Sequence, residues 1–332
     1  MDKIKVGVVG VGHLGQHHLR VYSELPEAFL VGVYDIDIAK AKKKAEQFHT
    51  KHFENLEDLL KDTDAVSLVV PTSSHFSVGE IILKNGANVL IEKPITETVK
   101  QAEKLIELAR KKSLVLFVGH IERFNPAFKA IENMKLEPKF IESHRLAPFP
   151  SRGTDVAVIL DLMIHDIDLI LSLVNDDIKE IDATGISVVT DSEDIANARI
   201  TFEKGCVANI TASRISAHPM RKFRIFQKNG YISLDLLEKS AEIYRLVETE
   251  KVEKENQLDS IIGKLPWEMG KTIVYERPHI EKEDMLTSEI RSFLWAVADK
   301  TQPKVSGEEG KKALEVALRI IRKARKHRES IR

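Results

Sequence analysis

The chain has 332 residues, 43% of them hydrophobic and 30% charged, with a formal net charge of −1 and a pI near 6.9. That length suits about two domains, each able to bury its own core, and the neutral balance gives no global attraction to nucleic acid or an anionic membrane. The single cysteine, Cys206, excludes an internal disulfide and a cysteine-cluster zinc site, and no apolar run reaches the length of a membrane span; an apolar strand beginning at Ile4 leaves no room for a signal peptide, so the expected compartment is the cytoplasm.

The first predicted strand, 4–9, runs into Gly10-Val11-Gly12-His13-Leu14-Gly15, and a helical pattern follows from His13 to Leu25. A second apolar run, 29–34, ends in Asp35, twenty residues past Gly15. Strand, glycine turn, helix, strand and acid in this order fit a dinucleotide. Gly10 permits the tight turn, Gly12 lets backbone approach a pyrophosphate, and Gly15 lets helix and strand pack closely. His13 and Leu14 stand at the helix N-terminus, whose N–H groups and partial positive charge suit phosphates. Asp35, with Ile36 beside it, is placed to accept both hydroxyls of an adenosine ribose, whereas a 2′-phosphate would meet its charge. The expected cofactor is therefore NAD and not NADP.

Helical stretches near 37–48, 75–85 and 97–112 then alternate with apolar runs at 65–70, 88–91 and 114–118, which read as buried parallel strands of a doubly wound α/β sheet. Such sheets bind ligands beyond the carboxyl ends of their strands. Pro71, Thr72 and His75 follow one run, Glu92 and Lys93 the next, and Gly119 and His120 the third; the first five are expected beside the cofactor. Most lysines are solvated surface residues, but Lys93 falls where the chain should pass the nicotinamide, on a turn stiffened by Pro94, and is read as functional.

Beyond about 135 the pattern changes. Runs at 197–202, 207–213, 223–227 and 231–236 are joined by short turns containing Lys204-Gly205 and Asn229-Gly230, which signal antiparallel hairpins. The expected organisation is a Rossmann domain over 1–120 and an α+β domain with an open, mainly antiparallel sheet over 121–332. The charged, poorly periodic segment 250–282, with Pro266 and Pro278, reads as a loop or excursion. A basic C-terminal helix over about 308–328 is expected to pack its apolar face on the body, the first domain being one candidate surface, with its basic face solvated and no role with nucleic acid.

Residues 155–174 read as a buried helix on which Asp161, His165, Asp168 and Ser172 recur at four, three and four residues, forming one polar stripe. Leaving a buried polar group unsatisfied costs about 1–3 kcal/mol, so the stripe must face a ligand, a partner group or water. Asp161 and His165, one turn apart, suit an acid orienting an imidazole; a satisfied core histidine is the plainer alternative. A metal site from these residues is not expected, because Asp166 should point off the stripe.

Gly10-x-Gly12-x-x-Gly15, Glu92-Lys93-Pro94 and Asp161-x-x-x-His165, in this order along nearly the whole chain, resemble the glucose-fructose oxidoreductase, inositol dehydrogenase and MocA family of NAD(P)-dependent sugar oxidoreductases. The resemblance implies a Rossmann domain followed by an open-sheet domain, a catalytic lysine at Lys93, and a catalytic histidine at His165 with Asp161 beside it. His120 through Pro126, Arg145 through Pro150 and Asp161 through Asp168 further resemble the branch that oxidises C3 of UDP-N-acetylglucosamine or its uronic acid. That likeness implies substrate contacts at Arg123, Asn125, Arg145, Phe149, Arg152, Asp161 and His165. Arg145 and Arg152 would pair with a diphosphate, Phe149 would stack on uracil, and Asn125 would bond the sugar or the carboxamide.

The expected reaction is hydride transfer from a secondary alcohol carbon to NAD. His165 suits proton removal near neutral pH and Lys93 suits stabilising the alkoxide, although the two roles are exchangeable. The alternatives are a free sugar or polyol such as inositol as substrate, and a non-catalytic NAD sensor. An open sheet face commonly finds a partner, so a homo-oligomer, dimer or tetramer, is expected.

Overall fold

The computed structural model describes residues 3–149, 156–252, 261–267 and 270–330. They fall into two compact units, Met1–Ile121 with Glu283–Glu315, and Glu122–Lys282 with Val316–Arg332.

The first unit alternates strand and helix: β1 (Ile4–Val9), α1 (Gly15–Glu24), β2 (Ala28–Tyr34), α2 (Ile38–Gln47), β3 (Lys51–His52), α3 (Leu56–Lys61), β4 (Ala65–Leu68), α4 (Thr72–Lys84), β5 (Asn88–Glu92), α5 (Val99–Lys112) and β6 (Leu116–Gly119). Its six strands are parallel in the order β3-β2-β1-β4-β5-β6. Val6, Val8, Val66, Leu68, Val89, Ile91 and Val118 have no exposed surface, as expected for strands covered on both faces. The order reverses between β1 and β4, the switch point where such sheets take ligands. β3 and α3 are absent from the sequence reading because two and six residues are too short to show a period.

The second unit holds α6 (Pro126–Lys129), β7 (Pro138–Leu146), α7 (Ile164–Leu173), β8 (Ile178–Ile186), β9 (Ile195–Phe202), β10 (Val207–Ser213), β11 (Met220–Gln227), β12 (Gly230–Asp235), β13 (Ser240–Glu248), α8 (Thr249–Val252), β14 (Ile261–Trp267) and β15 (Lys271–Glu276). The nine strands run β14-β15-β13-β12-β11-β7-β10-β9-β8, antiparallel except at β7 and β10. Gly205 and Asn229 take the left-handed conformations that the two hairpins need, with φ of +90° and +60°. One face of the sheet is buried, through Ile141, Ile225, Ile232 and Ile243 among others, and α7 packs on β7 and β10. The opposite face carries a cross-strand ladder of half-buried rings: Phe140, Phe226, Tyr231, Tyr244 and Tyr275, with centroids 4.8–5.6 Å apart.

Two sequence expectations need correction. Segment 250–282 is not simply a loop, because it contains α8 and the β14–β15 hairpin. Its strands are obscured by lysine, glutamate and proline, residues that edge strands tolerate; Pro266, which cannot donate a ladder hydrogen bond, sits in the edge strand β14. Residues 283–315, left with the second domain by the sequence pattern, fold with the first. α9 (Met285–Asp299) sets Phe293 edge-on to Phe117 at 5.8 Å, and the Val118 N–H donates to the Val305 carbonyl at 3.0 Å. α10 (Gly307–Ser330) passes so near β6 that a Cβ at Gly310 would fall 2.6 Å from Val118. Its apolar positions Ala313, Leu314, Val316, Ala317, Ile320, Ile321 and Ala324 are all buried. Among the described residues no helix is long and apolar enough to cross a membrane.

Candidate active site

In the first unit the glycine turn closes the end of β1. Gly10 has φ +90°, and a Cβ there would fall 2.5 Å from the Val69 carbonyl oxygen. A Cβ at Gly15 would lie 2.0 Å from the Gly10 carbonyl oxygen, so α1 begins against the turn only because glycine stands there. Gly12 differs from both: a Cβ would meet no protein atom within 4 Å. Nothing within the protein requires glycine at that exposed point, whereas close approach of a pyrophosphate to the backbone does. Leu14 offers α1 no side-chain cap, and Leu14 and His13 are exposed at its start, which leaves the helix N-terminus as a ready anion site.

Asp35 is fixed by the turn it serves. Its Oδ2 accepts the Val11 N–H at 2.8 Å and its Oδ1 the Asp37 N–H at 2.9 Å. Each oxygen keeps a further lone pair for a ribose hydroxyl. Ile36 is 92% exposed beside it. Lys44 donates to Gln16 and Gln47, and Lys40 lies 3.7 Å from Asp37, so these cations already have partners. The cradle fits NAD.

Pro71 and Thr72 open α4 at the end of β4, exposed and half-buried respectively. At the end of β5 the half-buried Lys93 follows Glu92 and precedes Pro94 through a cis peptide bond. His75, expected to touch cofactor, is instead 1% exposed, with Nδ1 2.8 Å from the Pro94 carbonyl oxygen and Nε2 2.9 Å from that of Val70. Burial pushes its pKa down against these hydrogen bonds, and a neutral ring donates to only one of the two carbonyls. It braces the turn from beneath. A second buried histidine that the sequence reading missed, His18 on α1, stands 3.1 Å from Glu92. Its place three residues past Gly15, on the sheet side of the helix, was the available signal.

In the second unit, the stretch before α7 is not regular helix. Ile159–Met163 form a π-helical turn, a feature frequent at functional sites, whose wider winding changes the phase between Asp161 and His165. Both side chains are half-buried. The expected stripe breaks further along: Ser172 is exposed and bonds the Leu169 carbonyl, while Asp168 is buried and takes Arg123 Nε at 2.7 Å and Nη2 at 3.3 Å.

Three of the seven residues expected to bind substrate, Arg123, Asn125 and Arg145, are engaged by other groups of the protein. Arg145, 3% exposed, donates from Nε and Nη2 to Asp166 at 2.8 and 3.0 Å and from Nη1 to Glu122 at 2.7 Å. It is not available to a diphosphate, which corrects the sequence reading. Arg123 is likewise taken by Asp168. Asn125, fully buried, caps α6 through the Ala127 N–H and donates to Glu122 and to the Leu236 carbonyl, so both of its amide hydrogens are taken within the protein. Phe149 is 45% exposed, and Arg152 lies outside the described residues. Burial pushes the Glu122 carboxyl up, but Arg145, Arg221 and the Asn125 amide outweigh it and hold it below the usual range.

A third buried arginine was also missed. Arg214, without exposed surface, donates from Nε to Asp194 at 2.9 Å, from Nη1 to the Val156 carbonyl and from Nη2 to Thr190 and Ser192. Asp194 accepts three successive N–H groups from Val188, Val189 and Thr190, which with Arg214 overcome its burial and hold its pKa far below the usual range. Arg214 thereby fixes the chain just before the π turn.

The chain matches known proteins over most of its length. The family model described as an oxidoreductase family with NAD-binding Rossmann fold (GFO/IDH/MocA) matches residues 4–120, and the GFO/IDH/MocA C-terminal domain matches 138–233. The UDP-N-acetylglucosamine 3-dehydrogenase of Acidithiobacillus ferrooxidans is 37% identical over 96% of this chain and 97% of its own. A solved structure of that enzyme superposes with a TM-score of 0.86 over 97% of this chain and 98% of its own, at 35% identity. The myo-inositol 2-dehydrogenase of Thermotoga maritima is 26% identical over 94% of this chain and 93% of its own.

Two outcomes follow from the geometry. Gly12→Ala should keep the wild-type thermal midpoint while weakening NAD binding in calorimetric titration, whereas Gly15→Ala, whose Cβ strikes backbone, should lose stability as well. Arg145→Ala should cost about 3–5 kcal/mol at pH 7, because it leaves Glu122 and Asp166 buried without their partner. The depressed Glu122 pKa makes its contribution full above the unfolded carboxylate value, about 4.3, and lost as pH falls below it. The difference between wild type and Arg145→Ala in denaturant titrations should therefore narrow below about pH 4.

Proposed function

The chain belongs to the GFO/IDH/MocA family of NAD-binding oxidoreductases, and we propose that within it the reaction is oxidation of C3 of a UDP-N-acetylhexosamine to the 3-keto sugar. The observation that carries this reading is the end-to-end likeness to the Acidithiobacillus enzyme, in sequence and in fold. Likeness to the Thermotoga inositol enzyme over a similar span, at lower identity, supports the second reading, a free polyol as substrate.

NAD, when bound, supplies a hydride acceptor at nicotinamide C4. The chain's own residues do the rest. The Gly12 backbone and the start of α1 would hold its pyrophosphate, and Asp35 its ribose hydroxyls. His165 accepts the alcohol proton, since an imidazole with a reference pKa of about 6.5 is matched to neutral pH. Asp161 orients that ring. The Lys93 ammonium stabilises the alkoxide and polarises the product carbonyl. A neutral Lys93 taking the proton is the alternative assignment, which the pH profiles of the two alanine variants separate. With Arg145 engaged, Arg152 is the cation assigned to the diphosphate and Phe149 the platform for uracil. We place the protein in the cytoplasm as a homo-oligomer, with a second copy covering the aromatic ladder of Phe140, Phe226, Tyr231, Tyr244 and Tyr275; sedimentation of a Tyr231→Lys, Tyr244→Lys variant as a smaller species than wild type is the expected result.

A substrate panel followed by NADH absorbance tests the reading. UDP-N-acetylglucosamine should be turned over and UDP alone should compete with it. Turnover of myo-inositol or free glucose, with none from UDP-sugars and no inhibition by UDP, would move the assignment to the second reading. Lys93→Ala and His165→Ala should each lower kcat by about a hundredfold or more, with NAD affinity near wild type. NAD should bind at least tenfold more tightly than NADP, since half of the roughly 4 kcal/mol repulsion between like charges at about 4 Å already exceeds a factor of ten. Equal dissociation constants would remove Asp35 from cofactor choice.

A further inference from the structure

Two buried histidines on different helices brace the Glu92–Lys93–Pro94 turn, and the proposed reaction uses neither. His18 faces Glu92 Oε1 through Nε2 and Ser67 Oγ through Nδ1, both at 3.1 Å, and the Tyr22 hydroxyl lies 2.8 Å from the same Ser67 oxygen. Burial pushes the Tyr22 phenol up, so it stays a protonated donor. With the phenol donating, Ser67 Oγ accepts from Tyr22, and the Glu92 carboxylate, an acceptor only, takes the His18 Nε2–H. The other Glu92 oxygen accepts the Lys93 backbone N–H at 3.3 Å. A Cβ at Gly119 would fall 3.1 Å from this carboxylate, so β6 closes it in on the other side.

We propose that His18 is a positioning residue for Lys93: it holds the Glu92 carboxylate in one place and thereby ties the helix that begins at the phosphate-binding turn to the strand end that presents the lysine. The proposal rests on the reading in which Lys93 acts at the reacting carbon. His75, through the Pro94 carbonyl, holds the same turn from α4. The titratable groups facing Glu92 are His18 from α1, Lys93 from its own turn and His75 from α4, while Glu289 on α9 faces Tyr22. Burial raises the Glu92 pKa, but the His18 hydrogen bond and charge and the neighbouring Lys93 outweigh it and leave it lowered. Without His18 it rises, so the acid limb of the pH profile should move to higher pH.

The test compares His18→Leu with His18→Gln, whose amide still reaches Glu92, in the full chain. Measured are kcat, KM, the pH profile of kcat/KM, the NAD dissociation constant by calorimetry and the thermal midpoint. His18→Leu should lower kcat by about ten- to a hundredfold, leave sugar KM and NAD affinity near wild type, and shift the acid limb upward; His18→Gln should restore most of kcat and the wild-type limb. If His18→Leu does not fold, His18→Asn, which reaches Ser67 but not Glu92, takes its place with the same expectation. Wild-type kcat and an unmoved limb overturn the proposal, as do Leu and Gln variants that lose kcat and midpoint alike with the limb unmoved. Lys93→Ala is measured alongside. If it keeps turnover, the assignment of Lys93 itself fails; if it is inactive while His18→Leu behaves as wild type, the positioning role alone fails.

Discussion

A guanidinium cannot be left alone in a protein interior, and the second unit is organised around that constraint. Arg145, Arg123 and Arg214 are all buried, and each is met by a buried carboxylate: Asp166 with Glu122, Asp168, and Asp194. Two of these acids sit on α7, and Arg214 holds the Val156 carbonyl ahead of the π turn. The stretch carrying Asp161 and His165 is therefore held at three places, by two ion pairs on α7 and by the Arg214 hydrogen bond to Val156. Buried ion pairs add little net stability over an apolar core, because desolvation consumes most of the Coulomb gain, but breaking one is costly. Their effect here is to fix one rotation and one register of the helix, and so to fix where the imidazole stands.

The first unit holds its turns with small residues and with hydrogen bonds to two carboxylates, Asp35 and Glu92. Gly15 lets α1 start against the Gly10 carbonyl, which sets the helix N-terminus at the glycine turn. The same helix carries His18 to Glu92, while Asp35 is held by two backbone N–H groups. Asp35 and the Glu92–Lys93–Pro94 turn thus stand at the carboxyl ends of strands covered on both faces.

Much of this was legible in the sequence. The fold class, the order of the parallel strands' main elements, the hairpin turns at Gly205 and Asn229, and the dinucleotide turn with Asp35 all have short-range signals of period or turn chemistry. What was not legible depends on pairing across the chain. Glu122, Arg145 and Asp166 lie in three separate stretches, and nothing local in the sequence shows that they pair, so Arg145 looks like an exposed ligand for phosphate. Asp166 was set aside as pointing off the polar stripe, which it does, toward Arg145. The π turn escaped because one extra residue in a helical turn leaves the composition unchanged. The β14–β15 hairpin escaped because an edge strand carries the polar residues of a loop.

The central claim is that these charged residues hold one another and do not contact substrate. The most direct measurement is the turnover, sugar KM and stability of a triple variant, Arg145→Met, Glu122→Gln, Asp166→Leu, which removes this cluster and leaves no buried charge alone, since Arg221, the other partner of Glu122, is solvent-accessible. Recovery of most of the stability lost in Arg145→Ala, together with near wild-type kcat and KM, is the predicted result. A stable triple variant whose KM for the UDP-sugar has risen by about a hundredfold would contradict it, since a loss of that size, near 2.7 kcal/mol, would mean that the Arg145 guanidinium reaches the substrate.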